Sequence, residues 1–174
     1  MTQIWFSVLV VALIAAPVAA AQVSVPMAVV TEQGVGAPIG TVTLLDSPSG
    51  LVVTPDLAGL PPGSHGFHVH ARGDCGVTLT DGKPVPAGAA GGHFDPHGTR
   101  THLGPTGAGH LGDLPVLEVA ADGRATTAVT AARLTVAQVQ GLSLMLHAGG
   151  DNYADQPAPL GGGGLRIACG TIPR

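Results

Sequence analysis

Between residues 91 and 113 the chain reads GGHFDPHGTRTHLGPTGAGHLGD, a stretch too rich in glycine and proline to hold a shape by burying its own side chains. It contains four of the eight histidines. His93, His102 and His110 recur at intervals of nine and eight residues, and Asp113 follows the last by three. Imidazole with carboxylate is a donor set for zinc or copper, and a bound ion would supply the order that a core cannot. The segment 63–70 adds a second set, because His68 and His70 stand at i and i+2. On a strand that spacing places both imidazoles on one face and Val69 on the other. Far downstream, residues 142–146 read as a strand that delivers His147 at its end. Six histidines and Asp113 make seven candidate ligands, whereas two four-coordinate ions need eight donors. One ligand has to be shared.

The chain has 174 residues, enough for one domain with one core. Its first charged residue is Glu32. Residues 4–16 form an apolar run of secretory-signal length, followed by Pro17 and the small residues 19–21. This predicts a signal peptide over 1–21, removed near Ala21-Gln22, and one domain over 22–174. No Lys or Arg precedes the run, which departs from the usual signal. An uncleaved anchor needs about 20 predominantly apolar residues, and Pro17, Gln22 and Pro26 interrupt the run too early, so no stable membrane anchor is expected. The only cysteines, Cys75 and Cys169, are far apart. In an exported chain such a pair reads as a disulfide, and closing a loop of this length stabilises a fold by roughly 4–5 kcal/mol in the chain-entropy model. A net charge of −4, with seven basic residues and no basic aromatic stripe, gives no basis for binding nucleic acid.

Elsewhere short alternating runs are separated by Gly/Pro turns, an all-β pattern. Residues 23–30 and 41–45 read as the first two strands, and 51–54 follows the turn Pro48-Ser49-Gly50. Between Gly73 and Pro115 no strand is convincing, and a structureless run that long needs a function, which the ligands supply. Residues 117–120 and 125–129 around Asp122-Gly123 predict a β-hairpin. Thr135 with Gln138 three residues on predicts the cap of a single helical turn. With 142–147 and 165–168 the set comes to about eight short strands, which implies an eight-stranded Greek-key barrel or sandwich with long metal-binding loops. After residue 21 the only aromatic residues are Phe67, Phe94 and Tyr153. Valine, leucine and alanine must fill the core, so the bridge and the metals should carry more of the stability. With few aromatics to anchor a subunit interface, monomer and homodimer both stay open.

The runs HGFHVH (65–70), GGHFDP (91–96), THLGPTGAGHLGDLP (101–115), HAGGDNYADQPAPLGGGG (147–164) and RIACG (166–170) resemble the copper–zinc superoxide dismutase family. The similarity is greatest to its secreted bacterial branch and covers nearly all of the chain after about residue 22. It implies copper and zinc as cofactors, superoxide as substrate, and a periplasmic or secreted location. By this resemblance His68, His70, His93 and His147 bind copper, His93, His102, His110 and Asp113 bind zinc, and His93 is the shared ligand. Cys75 and Cys169 fall where the family has its bridge. Arg166 falls where the family has an anion-guiding arginine, so Arg166 and His93 are the catalytic candidates. Asp151, four residues after His147, takes the position of the carboxylate that holds one copper-ligand and one zinc-ligand imidazole, with Asp155 as the reserve candidate.

His65 and His97 match no ligand position; the first reads as structural and the second as solvent-facing. Lys83, the only lysine, lies in a loop that could approach the site mouth and reads as a solvated charge. The four glycines 161–164 are not followed by GK[ST], so they read as backbone passing close to another segment beside Arg166, not as a phosphate loop. Ala71-Arg72, directly after His70, departs from the family, in which a glutamate often follows. Two other functions compete with copper-cycled disproportionation of superoxide to oxygen and hydrogen peroxide. A non-catalytic metal-binding module of the same fold should lack a copper ligand or Arg166, and a zinc hydrolase needs an open zinc position. Here every one of those positions is present, and zinc's four are filled.

Overall fold

The structure, a computed structural model, describes residues 22–174. The expected signal peptide lies outside the described residues. In Gly50–Leu57 (β3) the residues Leu51, Val53, Pro55 and Leu57 are buried while those between them are not, the alternation of a strand with one face on a core. Gln22–Thr31 (β1) and Gly34–Ser47 (β2) flank it in sequence, and β2 pairs with both β1 and β3. The Gly/Pro-containing half of β2 is largely exposed and is held in the sheet by its ladder to β1, so pairing overrides weak local propensity.

Eight further strands follow: Gly63–His65 (β4), Phe67–His70 (β5), Thr78–Thr80 (β6), Lys83–Val85 (β7), Leu117–Val119 (β8), Val129–Ala131 (β9), Ser143–His147 (β10) and Arg166–Thr171 (β11). Seven of the strands form one antiparallel sheet in the order β5-β10-β11-β1-β2-β3-β9, with the last strand returned beside the first in Greek-key fashion. Segment 117–131 ties the two edges of that sheet together. β8 pairs with β4, which continues through Gly66 into edge strand β5, while Ala125 bridges Leu57 of β3 and β9 pairs with the far end of β3. The sheet is thereby curled around Val25, Val42, Leu44, Phe67, Leu144 and their neighbours.

Two sequence expectations need correction, while the all-β Greek-key architecture is as expected, its strands numbering eleven among the described residues because short pairs lie beside the main sheet. One of them, β6–β7, lies within the stretch read as strandless; its turn, Asp81-Gly82, has positive φ at both residues, the chemistry of a tight two-residue hairpin. The hairpin expected across Asp122-Gly123 forms only its turn, in which Ala120 N–H donates to Arg124 O at 2.8 Å and Gly123 N–H donates to Ala120 O at 2.9 Å. Its arms part because Leu117 and Val119 reach the core by pairing with β4, whereas the second arm reaches it along β3. The helical turn is as expected: Val136–Val139 (α1) begins where the Gln138 side chain accepts from Thr135 N–H, and Asp46 accepts from Val136 N–H.

Strand β5 would be an exposed edge, but the histidine-rich loop covers it. Phe94 N–H donates to Val69 O, Val69 N–H to Gly112 O and Gly112 N–H to Phe94 O, each at 2.8 Å. Isolated bridges pair His68 with Asp113 and His70 with His93. The loop thus borrows its register from a strand that itself carries two of the histidines. Cys75 is disulfide-bonded to Cys169 on β11, as expected from sequence. Among the described residues no helix is long and apolar enough to cross a membrane.

Candidate metal centre

The six histidines and Asp113 singled out in the sequence come together at one end of the sheet, and all seven are buried. His68 and His70 project from β5, His147 from the end of β10, and His93, His102, His110 and Asp113 from the loop laid along β5. One donor atom from each of His68, His70, His93 and His147 lies within 4.8 Å of all the others, and the same holds for His68, His93, His102 and Asp113. His110 stands beside the second quartet, with Nδ1 3.5 Å from Asp113 Oδ1. His93 stacks on His68 with ring centroids 3.9 Å apart and turns Nδ1 toward Asp113 Oδ1 at 2.9 Å. Its Nε2 is buried without a partner.

The outer nitrogens of these rings fix the tautomers. His70 Nδ1 lies 2.8 Å from Gly91 O and His147 Nδ1 lies 3.2 Å from Gly164 O. His68 Nε2 and His102 Nε2 lie 2.8 and 2.7 Å from the two oxygens of Asp151. A neutral imidazole that donates to an oxygen on one side carries a lone pair on the other. On the His70 and His147 side the inward nitrogens are therefore acceptors facing acceptors, with the two Nε2 atoms 3.4 Å apart and His68 Nδ1 buried without a hydrogen bond, while His102 Nδ1 lies 3.0 Å from Asp113 Oδ2 and His110 Nδ1 is buried without a hydrogen bond. Buried unpaired acceptors are costly, and converging lone pairs of imidazole and carboxylate are what a cation needs. The donor set fits two metal ions.

Proton affinities follow from the same packing. Burial pulls His93 down to about 4 and His147 to about 3, and burial first, then the charges of His93 and Arg166, lowers His70 well below its ordinary value. These three rings are neutral at pH 7, the form that ligates metal. Burial also disfavours a charge on His102, but its contacts with Asp113 and Asp151 outweigh burial and raise it to about 9. Burial works to raise the two carboxyls as well, yet the imidazoles of His102 and His93 on Asp113, and of His102 and His68 on Asp151, hold both well below the usual carboxylate range.

The other sequence candidates fall around this cluster. Asp151 spans His68 and His102 and also accepts Tyr153 N–H, whereas Asp155 accepts the backbone N–H of His102. Arg166 is half-buried and its guanidinium donates to Ala87 O and Gly91 O, both at 2.6 Å. His65 is buried with its ring nitrogens 2.8 Å from His147 O and Pro61 O, and His97 and Lys83 are exposed. The glycine run passes close to the site as expected: a Cβ at Gly161 would collide with Asp151 Oδ1 and lie 2.9 Å from His102 Nε2. Two residues were missed. Arg133 donates to the carbonyls of Gly104, Pro105, Gly109 and His110, and so grips the loop from behind. Tyr153, at positive φ, lays its ring against Gly104 and accepts Val116 N–H through its hydroxyl. A lone arginine beyond a strand carries no local signal, while the one tyrosine could have been suspected for its rarity.

Known proteins with this arrangement carry the same kind of sequence. The family model for copper/zinc superoxide dismutase (SODC) matches residues 39–172. The superoxide dismutase [Cu-Zn] of Escherichia coli K12 is 54% identical over 169 residues, covering 96% of this chain and 98% of that protein. The Cu/Zn superoxide dismutase structure from Brucella abortus superposes with a TM-score of 0.86 at 49% identity, over 87% of this chain and 99% of that one. The solution structure of the monomeric copper, zinc superoxide dismutase from Salmonella enterica gives 0.80 at 57% identity, over 87% and 99%. A match spanning the site, the sheet and nearly the full length leaves one assignment: the chain belongs to the copper/zinc superoxide dismutase family.

Proposed function

We propose that this protein is an exported superoxide dismutase, converting two superoxide anions and two protons to oxygen and hydrogen peroxide. The observation that carries the reading is His93, one buried ring that belongs to both quartets of converging donors, with Nδ1 2.9 Å from Asp113 Oδ1 and Nε2 unpartnered. In this reading His68, His70, His93 and His147 hold copper, and His93, His102, His110 and Asp113 hold zinc. Copper supplies the one-electron chemistry, and redox-inert zinc fixes geometry. His93 Nε2, between the two sets, is the atom at which a proton can be held and passed on. Asp151 keeps His68 and His102 oriented, with one oxygen on each. Arg166, tied to the Gly91 carbonyl that also anchors His70, presents a fixed cation beside the copper ligands, which a molecule of net charge −4 needs in order to attract an anion.

Export to the periplasm or beyond, with residues 1–21 as a cleaved signal and 22–174 as the mature domain, is supported by the apolar run at 4–16 and by the disulfide, which suits an oxidising compartment. The test is metal content and superoxide-dismutating activity of the mature chain loaded with both metals, beside His147→Ala and Arg166→Ala. One copper and one zinc per chain, with activity abolished by the first variant and reduced by the second, is the expected result. Stoichiometric metals without activity in the parent protein would leave a metal-binding module instead.

A further inference from the structure

Arg72, two residues after His70, has no part in the reading above. Its backbone N–H donates to Ala90 O and its Nε to Ala89 O at 2.6 Å, while the side chain is exposed. The guanidinium carbon and both terminal nitrogens lie 3.2 Å from where a Cβ would stand on Gly91, so the fork lies against that glycine. The carbonyl of the same Gly91 receives Arg166 Nη2 at 2.6 Å and His70 Nδ1 at 2.8 Å. Two guanidinium groups therefore hold the 3₁₀ turn Gly88–Ala90, Arg166 through the flanking carbonyls of Ala87 and Gly91 and Arg72 through the carbonyl of Ala89 within it.

Neither cation is neutralised by a carboxylate. Among the described residues the Lys/Arg ion pairing is confined to Arg124 with Asp56. The two also sense each other: burial first, and then the charge of Arg72, makes Arg166 easier to deprotonate than an ordinary arginine. Like charges gathered without a counter-ion in an acidic protein form a local positive spot, and an arriving anion relieves their repulsion. Arg166 has two nitrogens committed to carbonyls, whereas the exposed Arg72 commits only Nε, so Arg72 is the outer of the two.

We propose that Arg72 and Arg166 form one two-step entry site for small monovalent anions, with Arg72 capturing superoxide at the rim and Arg166 receiving it beside the copper ligands. This deepens the dismutase reading and rests on it.

The experiment uses the mature chain loaded with copper and zinc, as parent, Arg72→Gln, Arg72→Ala and Arg72→Lys. Gln keeps a donor for Ala89 O without the charge, and Lys keeps the charge. Azide affinity is read by titrating the visible copper absorption, kcat/KM for superoxide is followed against ionic strength, and the thermal midpoint of each variant is recorded. The Gln and Ala variants are expected to bind azide more weakly and to lose roughly two- to fivefold in kcat/KM at low salt, with the difference vanishing at high salt, as a screened charge requires. Lys should retain the parent's salt slope. Parent-like azide affinity and salt slope in Arg72→Gln would overturn the proposal. So would an equal loss at every ionic strength that Lys does not restore, since Arg72 would then be only a strut for the turn. An inactive, fully metallated parent would instead refute the dismutase reading, and the azide titration would still report on Arg72.

Discussion

At the scale of single residues, Asp151 joins the two quartets of converging donors. Its oxygens are divided between His68 and His102, so one buried carboxylate orients a ring in each quartet. Asp151→Asn keeps the volume but must turn an amide N–H toward one imidazole N–H. We expect both metals to bind about 10–100-fold more weakly, measured by chelator competition, with the core strands unchanged by circular dichroism. Unchanged affinity for both metals would contradict this role. The sequence brought these seven candidate ligands forward because His-x-His on a strand and a histidine-spaced glycine loop are physical signatures. It could not choose between Asp151 and Asp155, since both follow His147 in one loop. The choice is made in space, where Gly161 lacks a side chain and admits the Asp151 carboxylate against His102.

At the scale of elements, faces were legible and neighbours were not. Period-two alternation tells which side of β3 is buried, but nothing local says that β8 will pair with β4 and β9 with β3 across one turn. The β6–β7 hairpin was overlooked because its arms hardly alternate, although Asp81-Gly82 announces the turn. Arg133 was invisible because its role is set wholly by contacts more than twenty residues away, with the carbonyls at 104, 105, 109 and 110. Replacing it with alanine removes charged donors from four carbonyls. We expect a loss of roughly 2–3 kcal/mol, confined to the loop. Faster amide exchange over 102–110 and weaker zinc binding, with unchanged protection in β1–β3, would be the signature; uniform loss of protection would place Arg133 in the global core instead.

At the scale of the whole molecule, a core of valine, leucine and alanine with Phe67 as its one fully buried aromatic side chain leaves stability to the site and to the bridge. In the metal-free protein the site makes stability depend on pH in two directions. His93 and His147 are depressed to about 4 and about 3, and His70 is also lowered, so their contribution is present above the unfolded value of about 6.5 and is lost as pH falls toward 4. His102 is raised to about 9, so its contribution is full below about 6.5 and is lost as pH rises through 9. The thermal midpoint of the metal-free, disulfide-intact chain should therefore peak near neutrality and fall more steeply on the acid side. Zinc should abolish the alkaline fall by replacing the His102 proton. The bridge acts independently of pH. It joins Cys75 to Cys169 across 94 residues, and the segment between β5 and the histidine loop is then held on β11 twice, by this bond and by Arg166 on Ala87 and Gly91. Because Cys169 sits in a small buried cluster with Val30, Ala87, Ala90 and Met145, alanine is the better replacement than serine, which would bury a hydroxyl. Cys75→Ala with Cys169→Ala should cost about 4–5 kcal/mol by releasing the unfolded chain. With a urea dependence of about 2 kcal/mol per molar, that is a midpoint lowered by roughly 2 M. A shift below about 0.5 M would mean that the unfolded chain is already restrained without the bridge, and that the Arg166 clasp and the core strands carry what the disulfide was expected to.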